Sequence, residues 1–216
     1  MDISELKALI SEGENFKIEF KRQFSSVEKI AKELIAFANT KGGMILFGVD
    51  DDGTIYGVES EKSEMDLIYE AARDYCEPRI EPIVQVIELN RKDIVVAIVE
   101  ESGKKPHRLQ DYRNFVSSDA KVYIRINDKS VIASREVVKI LESESSDSEP
   151  LSIIIGDSER RLFKHLEEKN RITVKEYAKL VNISERRASR ILVNLVRAGV
   201  IRIYTDEKNE YFTSAF

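Results

Sequence analysis

The sequence has too few cysteines and histidines for several common kinds of site. Its 216 residues contain one cysteine, Cys76, and two histidines, His107 and His165. A single cysteine excludes an intrachain disulfide bond and every zinc site that is built from several cysteines. Two histidines likewise exclude a histidine-rich metal site.

Long apolar runs are missing as well. No stretch approaches the roughly 18 apolar residues that a transmembrane helix requires, and residues 1–10 are acidic and amphipathic, unlike a signal peptide. Apolar residues make up 42% of the chain and charged residues 34%, which is typical of a protein that folds around a hydrophobic core. We therefore predict a cytoplasmic protein that does not have the membrane as a partner.

The chain also lacks the positive charge that proteins bound to nucleic acid commonly carry. Its formal net charge is −5, but the charge is unevenly distributed. Residues 1–141 contain 21 basic and 26 acidic side chains, residues 142–149 contain four acidic ones, and residues 150–216 contain 13 basic and 9 acidic ones. The segment 142–149 has no apolar residue, which is typical of a linker. We predict a first domain at 1–141, an acidic linker at 142–152 and a basic second domain at 153–216.

The first domain alternates helix and strand signals. Its clearest helix, at 27–38, has apolar residues at helical spacing after a capping-box pattern, and it should end at Gly42 and Gly43. Further helices are predicted at 63–75 and 134–141. Short apolar or alternating runs predict strands at 44–49, 54–58, 83–89, 94–99 and 121–126. The pattern indicates an α+β domain.

The second domain has a different pattern. Three helices are predicted at 157–169, 173–180 and 184–198, with a short turn between the second and the third, and a charged hairpin follows at 201–214. Three helices and a two-stranded wing form the winged helix-turn-helix pattern. We therefore predict a small winged-helix domain.

The third of these helices carries the candidate DNA-binding residues. One side is apolar, and the other side carries Arg186, Arg187, Ser189, Arg190 and Asn194. Arginine forks match guanine edges and phosphates, so this side predicts contact with duplex DNA. The alternatives are a solvated charged face or a wing domain that contacts another protein. Because residues 150–216 have a net charge of only +4, specific binding is expected to need a homodimer.

Four residues of the first domain form a candidate metal-dependent catalytic site. Glu19 and Lys21 share one face of an extended segment, Glu14 precedes it, and Asp51 follows the predicted strand 44–49. If the two strands are neighbours, Glu14, Glu19 and Asp51 can bind Mg²⁺ or Mn²⁺ through oxygen ligands, and Lys21 can stabilise charge on a phosphate. The alternative is a solvated strand face followed by an ordinary aspartate-rich turn.

These residues belong to a larger set of motifs that resembles the Schlafen AlbA-like domain, also called the divergent AAA domain. In chain order the motifs are Glu14-x4-Glu19-Phe20-Lys21, Asn39-x2-Gly42-Gly43, Phe47-Gly48-Val49-Asp50-Asp51-x-Gly53, Gly57-Val58, Pro106-His107-Arg108 and Tyr123-x-Arg125-x-Asn127-x2-Ser130. The resemblance covers about residues 5–141. It implies a mixed sheet with flanking helices.

The resemblance implies two kinds of function. Schlafen nucleases that cut transfer and ribosomal RNA have two glutamates and an aspartate at the positions of Glu14, Glu19 and Asp51, and a lysine at that of Lys21. The eukaryotic nucleases join two such lobes, so this single-lobed chain would have to homodimerise. Microbial members with a winged helix are generally described as DNA-binding transcriptional regulators. We therefore predict such a regulator, with a Mg²⁺- or Mn²⁺-dependent endoribonuclease acting on RNA as the alternative.

The name divergent AAA suggests ATP binding, which the sequence does not support. The phosphate-binding loop Gly-x4-Gly-Lys-Ser/Thr is missing, and Lys41, Gly42 and Gly43 follow a predicted helix instead of joining a strand to a helix. Two glycines allow a tight chain reversal there. Asn39, just before them, is expected to be a polar bridge or cap within the fold. We expect no ATP cofactor.

Overall fold

The computed structural model describes residues 1–110, 120–144, 155–206 and 208–215. The chain forms two units, Met1–Ala133 and Ser134–Phe216. The division falls before the helix predicted at 134–141, which groups with the second unit instead of ending the first. Most of the predicted linker 142–152, from residue 145 onward, lies outside the described residues.

The helices of the first unit begin at side-chain caps. They are α1 at Ile3–Glu12, α2 at Val27–Asn39 and α3 at Glu61–Asp74. Asp2, Ser26 and Ser60 each accept a hydrogen bond from a backbone N–H in the first turn of the helix that follows. Every residue from Leu34 to Asn39 is buried, so α2 is the central helix of the unit. Its bounds agree with the prediction because the Ser26 cap and the apolar repeat both mark them.

The strands of the first unit include a four-stranded mixed sheet. In the described residues the strands are β1 at Ile18–Lys21, β2 at Gly43–Phe47, β3 at Cys76–Glu77, β4 at Ile83–Leu89, β5 at Lys92–Val99, β6 at Arg108–Leu109, β7 at Tyr123–Ile126 and β8 at Lys129–Ile132. The sheet has the order β1-β2-β5-β4, in which β1 and β2 are parallel and the other neighbours are antiparallel. This arrangement confirms the predicted α+β fold.

The segment predicted as a strand at 54–58 forms only a single bridge, between Val49 and Ile55. The backbone N–H groups of Tyr56 and Gly57 both donate to the carbonyl of Gly48. Because two successive amides share one acceptor, the segment curls against Gly48 and cannot run beside β2 as a strand. Gly57 has a φ of 76°, and a Cβ atom there would lie 2.9 Å from the Cβ of Lys92.

Two apolar layers cover the two faces of the mixed sheet. Ile45 and Phe47 of β2 pack with α2 and α3 in one core. Leu46, between them in sequence, packs in the second core with Phe20 of β1 and Leu6 of α1. The alternation follows from the two-residue period of a strand, which turns successive side chains to opposite faces.

Asn39 connects the end of α2 to two other segments through side-chain hydrogen bonds. Its Nδ2 donates hydrogen bonds to the carbonyls of His107 at 2.9 Å and Tyr123 at 3.0 Å. Its Oδ1 accepts from the backbone N–H of His107 at 2.7 Å. The polar bridge expected at Asn39 is therefore confirmed, and it holds β7 against the end of α2.

The second unit contains the winged helix and one additional helix before it. Its elements are α4 at Arg135–Glu144, α5 at Asp157–Lys169, α6 at Val174–Val181, α7 at Glu185–Arg197, β9 at Ile201–Thr205 and β10 at Glu210–Ser214. Thr173 caps α6 in a capping box, and β9 and β10 form an antiparallel hairpin. Leu162, Tyr177 and Phe212 are buried in one core that joins the helices to the hairpin. In the described part of the chain, none of the helices is both long and apolar enough to span a bilayer.

Candidate nucleic-acid interface

Helix α7 has an apolar side that fixes its orientation in the second unit. Ser184 caps the helix by accepting a hydrogen bond from the backbone N–H of Arg187. Ala188, Leu192 and Leu195 recur at helical spacing and are buried in the core of the unit. Side chains on the opposite side of α7 must therefore point away from that core.

The arginines predicted to contact DNA lie outside the core. Arg186, Arg187 and Arg190 are exposed, and Asn194 is partly exposed. Arg186 and Arg187 belong to the first turn of α7, and residues near the N-terminus of a recognition helix are those that reach base edges. The structure therefore places four of the five predicted residues on accessible parts of one helix.

Ser189, the fifth predicted residue, is only 4% exposed. Its hydroxyl donates to Oε1 of Glu136 at 2.7 Å and accepts from Nζ of Lys139 at 2.9 Å. Both partners belong to α4, a helix that the sequence pattern had assigned to the first domain. The side chain is therefore engaged within the protein and offers little surface to a base, because α4 lies against it.

Helices α4 and α7 border an open cleft of about 690 Å³. Five basic side chains line it, and they are Lys139, Arg186, Arg187, Arg190 and Arg197. Among the described lining residues, Glu142 is the one acidic side chain. A cleft lined by one sign of charge concentrates the opposite sign, so this surface suits an anion such as a phosphate.

The carboxylate of Glu19, a predicted metal ligand, lies in a polar cluster of the first unit. Its Oε1 accepts a hydrogen bond from Nζ of Lys21. Its Oε2 accepts from Nη1 of Arg125 at 2.8 Å, and the Arg125 side chain is fully buried. Both oxygens of Glu19 therefore face cations.

Arg125 and Glu33 complete this cluster, and neither is among the site residues predicted from the sequence. Arg125 also donates to Oε2 of Glu33 at 3.1 Å and to the carbonyl of Asn15 at 2.9 Å. Glu33 accepts a further hydrogen bond from Ser130, and the guanidinium of Arg125 lies 4.7 Å from the ring centre of Phe37. Arg125 and Ser130 stood in the motifs noted above, whereas nothing in the sequence around Glu33 distinguished it from other acids on α2.

Burial and neighbouring charge raise the pKa of two acids in the cluster. Burial raises the pKa of Glu14, and the charges of Glu19 and Asp51 add to that rise. The backbone N–H of Phe20 donates to Oε1 of Glu14 at 2.8 Å and partly offsets it. Burial also raises the pKa of Glu33, again with Glu19 as the second cause. Glu19 and Asp51 therefore both lie within electrostatic reach of Glu14.

The metal site expected at Glu14, Glu19 and Asp51 stays a prediction. Across residues 1–110, 120–144, 155–206 and 208–215, no three histidine, cysteine, aspartate or glutamate side chains are grouped as a metal ion requires. Mg²⁺ needs several oxygen ligands at about 2.0–2.1 Å. In this structure the two oxygens of Glu19 accept hydrogen bonds from Lys21 and Arg125.

Comparison with protein families assigns both units. The family described as Schlafen, AlbA_2 matches residues 14–134, which is more than half of the chain. The chain belongs to the Schlafen AlbA_2 family. A second family, described as winged helix-turn-helix DNA-binding, matches residues 156–202 of this AlbA_2 protein. The two matches together identify a Schlafen AlbA_2 domain followed by a winged helix-turn-helix domain.

Two solved structures align with this AlbA_2 protein. The DIP2311 protein from Corynebacterium diphtheriae aligns with a TM-score of 0.51 and 15% identity, over 99% of this chain and 38% of that chain. The N-terminal domain of a RecG-related protein from Nitrosomonas europaea aligns with a TM-score of 0.41 and 22% identity, over 59% of this chain and 94% of that domain. This chain thus spans 38% of the DIP2311 chain. A search of curated proteins gave no match.

The two matched ranges include the predicted site residues but do not include helix α4. The AlbA_2 match begins at Glu14 and includes Arg125 and Ser130, so the whole polar cluster belongs to that domain. The winged-helix match includes all five residues predicted to contact DNA. Helix α4 lies in neither match. The helix that contacts Ser189 therefore lies between the two matched ranges.

Proposed function

We propose that this protein is a DNA-binding transcriptional regulator that binds duplex DNA through α7 and its wing. The observation that carries the proposal is the exposure of Arg186, Arg187 and Arg190 on a helix whose other side is fixed in the core. A recognition helix contacts DNA with side chains in this position. Arginine is the residue that most often pairs specifically with guanine, through two hydrogen bonds.

The proposal includes a homodimer that acts in the cytoplasm. One winged helix with a net charge of +4 over residues 150–216 neutralises few phosphates, and affinity grows with the number of phosphates contacted. A dimer doubles that number and binds two half-sites about one helical turn apart. In this scheme the AlbA_2 domain supplies the dimer contact or a second contact to nucleic acid.

The proposed role of Arg190 is tested by replacing it with alanine. We expect Arg190→Ala to weaken binding to duplex DNA by about 1–3 kcal/mol, because one arginine fork is lost. Fluorescence anisotropy with labelled duplexes selected from a random pool would measure the dissociation constant at one fixed salt concentration. Arg161→Ala removes the same charge from an exposed position on α5 and serves as the matched control. Equal affinity of the two variants would contradict the assignment of Arg190.

A metal-dependent endoribonuclease at Glu14, Glu19 and Asp51 is the second candidate. It is supported by the position of Glu19 and Asp51, which lie close enough to Glu14 for their charges to raise its pKa. The pairing of Glu19 with Arg125 and Lys21 ranks it below DNA binding. The assay is cleavage of transfer RNA with Mn²⁺, with Glu19→Ala as the control. Absence of cleavage by the unmodified protein would remove this candidate.

A further inference from the structure

Helix α4 packs directly against the recognition helix α7. Glu136 and Lys139 of α4 both bond to the hydroxyl of Ser189, at 2.7 Å and 2.9 Å. The start of α4 is fastened to the wing as well, because Ser134 forms a side-chain hydrogen bond with Glu210 of β10. Helix α4 therefore contacts both elements with which a winged helix binds DNA.

The contact covers part of the outward side of α7. Successive helix residues are about 100° apart, so Ser189 and Val193 lie about 100° from the core residues Ala188 and Leu192 that precede them. The direction opposite the core is that of Arg190, and Val193 lies between Ser189 and that direction. Yet Ser189 is 4% exposed and Val193 is 5% exposed. These two positions belong to neither the core side nor the accessible side of α7.

The dimensions of DNA make this contact incompatible with insertion of α7. The major groove is about 12 Å wide and about 8.5 Å deep, which admits one helix. A helix with its side chains is about 10–12 Å across, so α7 fills the groove by itself. Packed helix axes lie about 8–10 Å apart, so a helix that lies against Ser189 would occupy space that the DNA needs.

Helix α4 also brings charge to the cleft, as the basic side chain of Lys139 and the carboxylate of Glu142. Glu142 lines the same cleft as Arg186, Arg187 and Arg190, and Glu136 is bonded to Ser189 on the same helix. A carboxylate next to arginines occupies the position that a phosphate would take, and its negative charge repels DNA. Glu142 thus places a negative charge on the surface that DNA needs, while Lys139 of the same helix is basic.

We propose that α4 is an autoinhibitory helix that must leave α7 before the winged helix can bind DNA. This inference rests on the proposed function and concerns the regulation of the same site. The docked and undocked forms are in equilibrium, and only the undocked form is competent to bind. The apparent affinity for DNA is then reduced by the fraction of molecules that is undocked.

The first test weakens the docking without changing the net charge. The double variant Glu136→Ala and Lys139→Ala removes both bonds to Ser189 and leaves α7 and the wing unaltered. Alanine is the best helix former, so α4 itself is preserved. We expect the double variant to bind duplex DNA at least about threefold more tightly than the unmodified protein, because the competent fraction rises. Weaker binding would instead make α4 part of the DNA interface and would overturn the inference.

The second test prevents undocking. Lys139→Cys and Ser189→Cys place two thiols where the side chains now touch, and a short bis-maleimide joins them. Native Cys76 is buried and burial raises its pKa, so it does not compete for the reagent. The same variant treated with a monofunctional maleimide is the matched control. We expect the bridged protein to lose DNA binding and the control to keep it.

The outcomes separate this inference from the proposed function. Equal DNA affinity of the bridged and the control protein would overturn autoinhibition and leave DNA binding by α7 in place. If the unmodified protein, the double variant and the control all fail to bind DNA, the proposed function is overturned, and the inference with it.

Discussion

The AlbA_2 domain and the winged helix use arginine in opposite ways. In the first, Arg125 is buried and bonds two carboxylates and a backbone carbonyl. In the second, Arg186, Arg187 and Arg190 are exposed beside a cleft. A buried charge must be paired, whereas an exposed one stays available to a partner. Charged motifs of similar appearance in the sequence therefore serve the fold in one domain and a ligand in the other.

The largest loss of stability is expected when Arg125 is removed. Arg125→Ala leaves Glu19 and Glu33 without their shared cation, and removing one partner of a buried pair costs about 3–5 kcal/mol. Urea unfolding, followed by a signal specific to the AlbA_2 domain, measures the free energy of unfolding. Arg22→Ala is the control, because its ion pair with Asp50 is exposed and long, at 3.8 Å. If Arg125→Ala lowers the free energy of unfolding no more than Arg22→Ala does, the contrast between the buried and the exposed arginines is wrong.

A smaller loss of stability is expected when the buried side chain that is removed is neutral, as Asn39 is. Asn39→Ala leaves the backbone N–H and carbonyl of His107 and the carbonyl of Tyr123 without their partner. Leaving a buried polar group unsatisfied costs about 1–3 kcal/mol. Differential scanning calorimetry would detect a lower melting temperature for this variant. Asn39→Asp keeps the acceptor but not the donor, so an unchanged melting temperature in both variants would refute the bridge.

The pH dependence of stability tests the burial of Glu33. Because burial raises its folded-state pKa, the folded protein holds this proton at pH values where the unfolded chain has lost it. The favourable contribution is complete below the unfolded pKa of about 4.5 and is lost as the pH rises through the folded value. We expect the stability of Glu33→Gln, relative to the unmodified protein, to increase as the pH rises above about 4.5. Unfolding midpoints across pH 4 to 8 measure this, and a flat difference would contradict it.

The smallest effect is expected for the stability of Arg190→Ala. Exposed substitutions usually change the free energy of unfolding by less than about 0.5 kcal/mol. The variant should therefore unfold like the unmodified protein while its DNA affinity falls. A large loss of stability would place Arg190 with Arg125, as a residue that serves the fold.

Local patterns predicted the parts of the fold that depend on neighbours in sequence. Helix α2 and the three helices of the winged domain follow from apolar periodicity and from caps such as Ser26 and Ser184. The strand expected at 54–58 failed because the close approach of Gly57 to Gly48 curls that segment, and this contact is not local to either residue. Helix α1 was not predicted at all, although its capping box at Asp2 was a usable signal.

The predicted site residues show the same difference between local patterns and distant contacts. The exposed arginines of α7 follow from the helical spacing of Ala188 and Leu192, which determines which side is free. The pairing of Glu19 with Arg125 joins residues that are 106 positions apart. No local pattern indicates such a contact, so the sequence alone did not predict that Arg125 lies beside Glu19.

By itself, the sequence determined the two domains, the α+β and winged-helix folds and the basic helix, because periodicity, capping and charge act between residues that are close in sequence. Only the tertiary structure decided what the charges do. It turned Arg125 inward onto Glu19, and it placed α4 across Ser189. Both outcomes depend on which distant segments share a buried volume, since burial determines whether a charged group pairs within the protein or remains free to bind DNA.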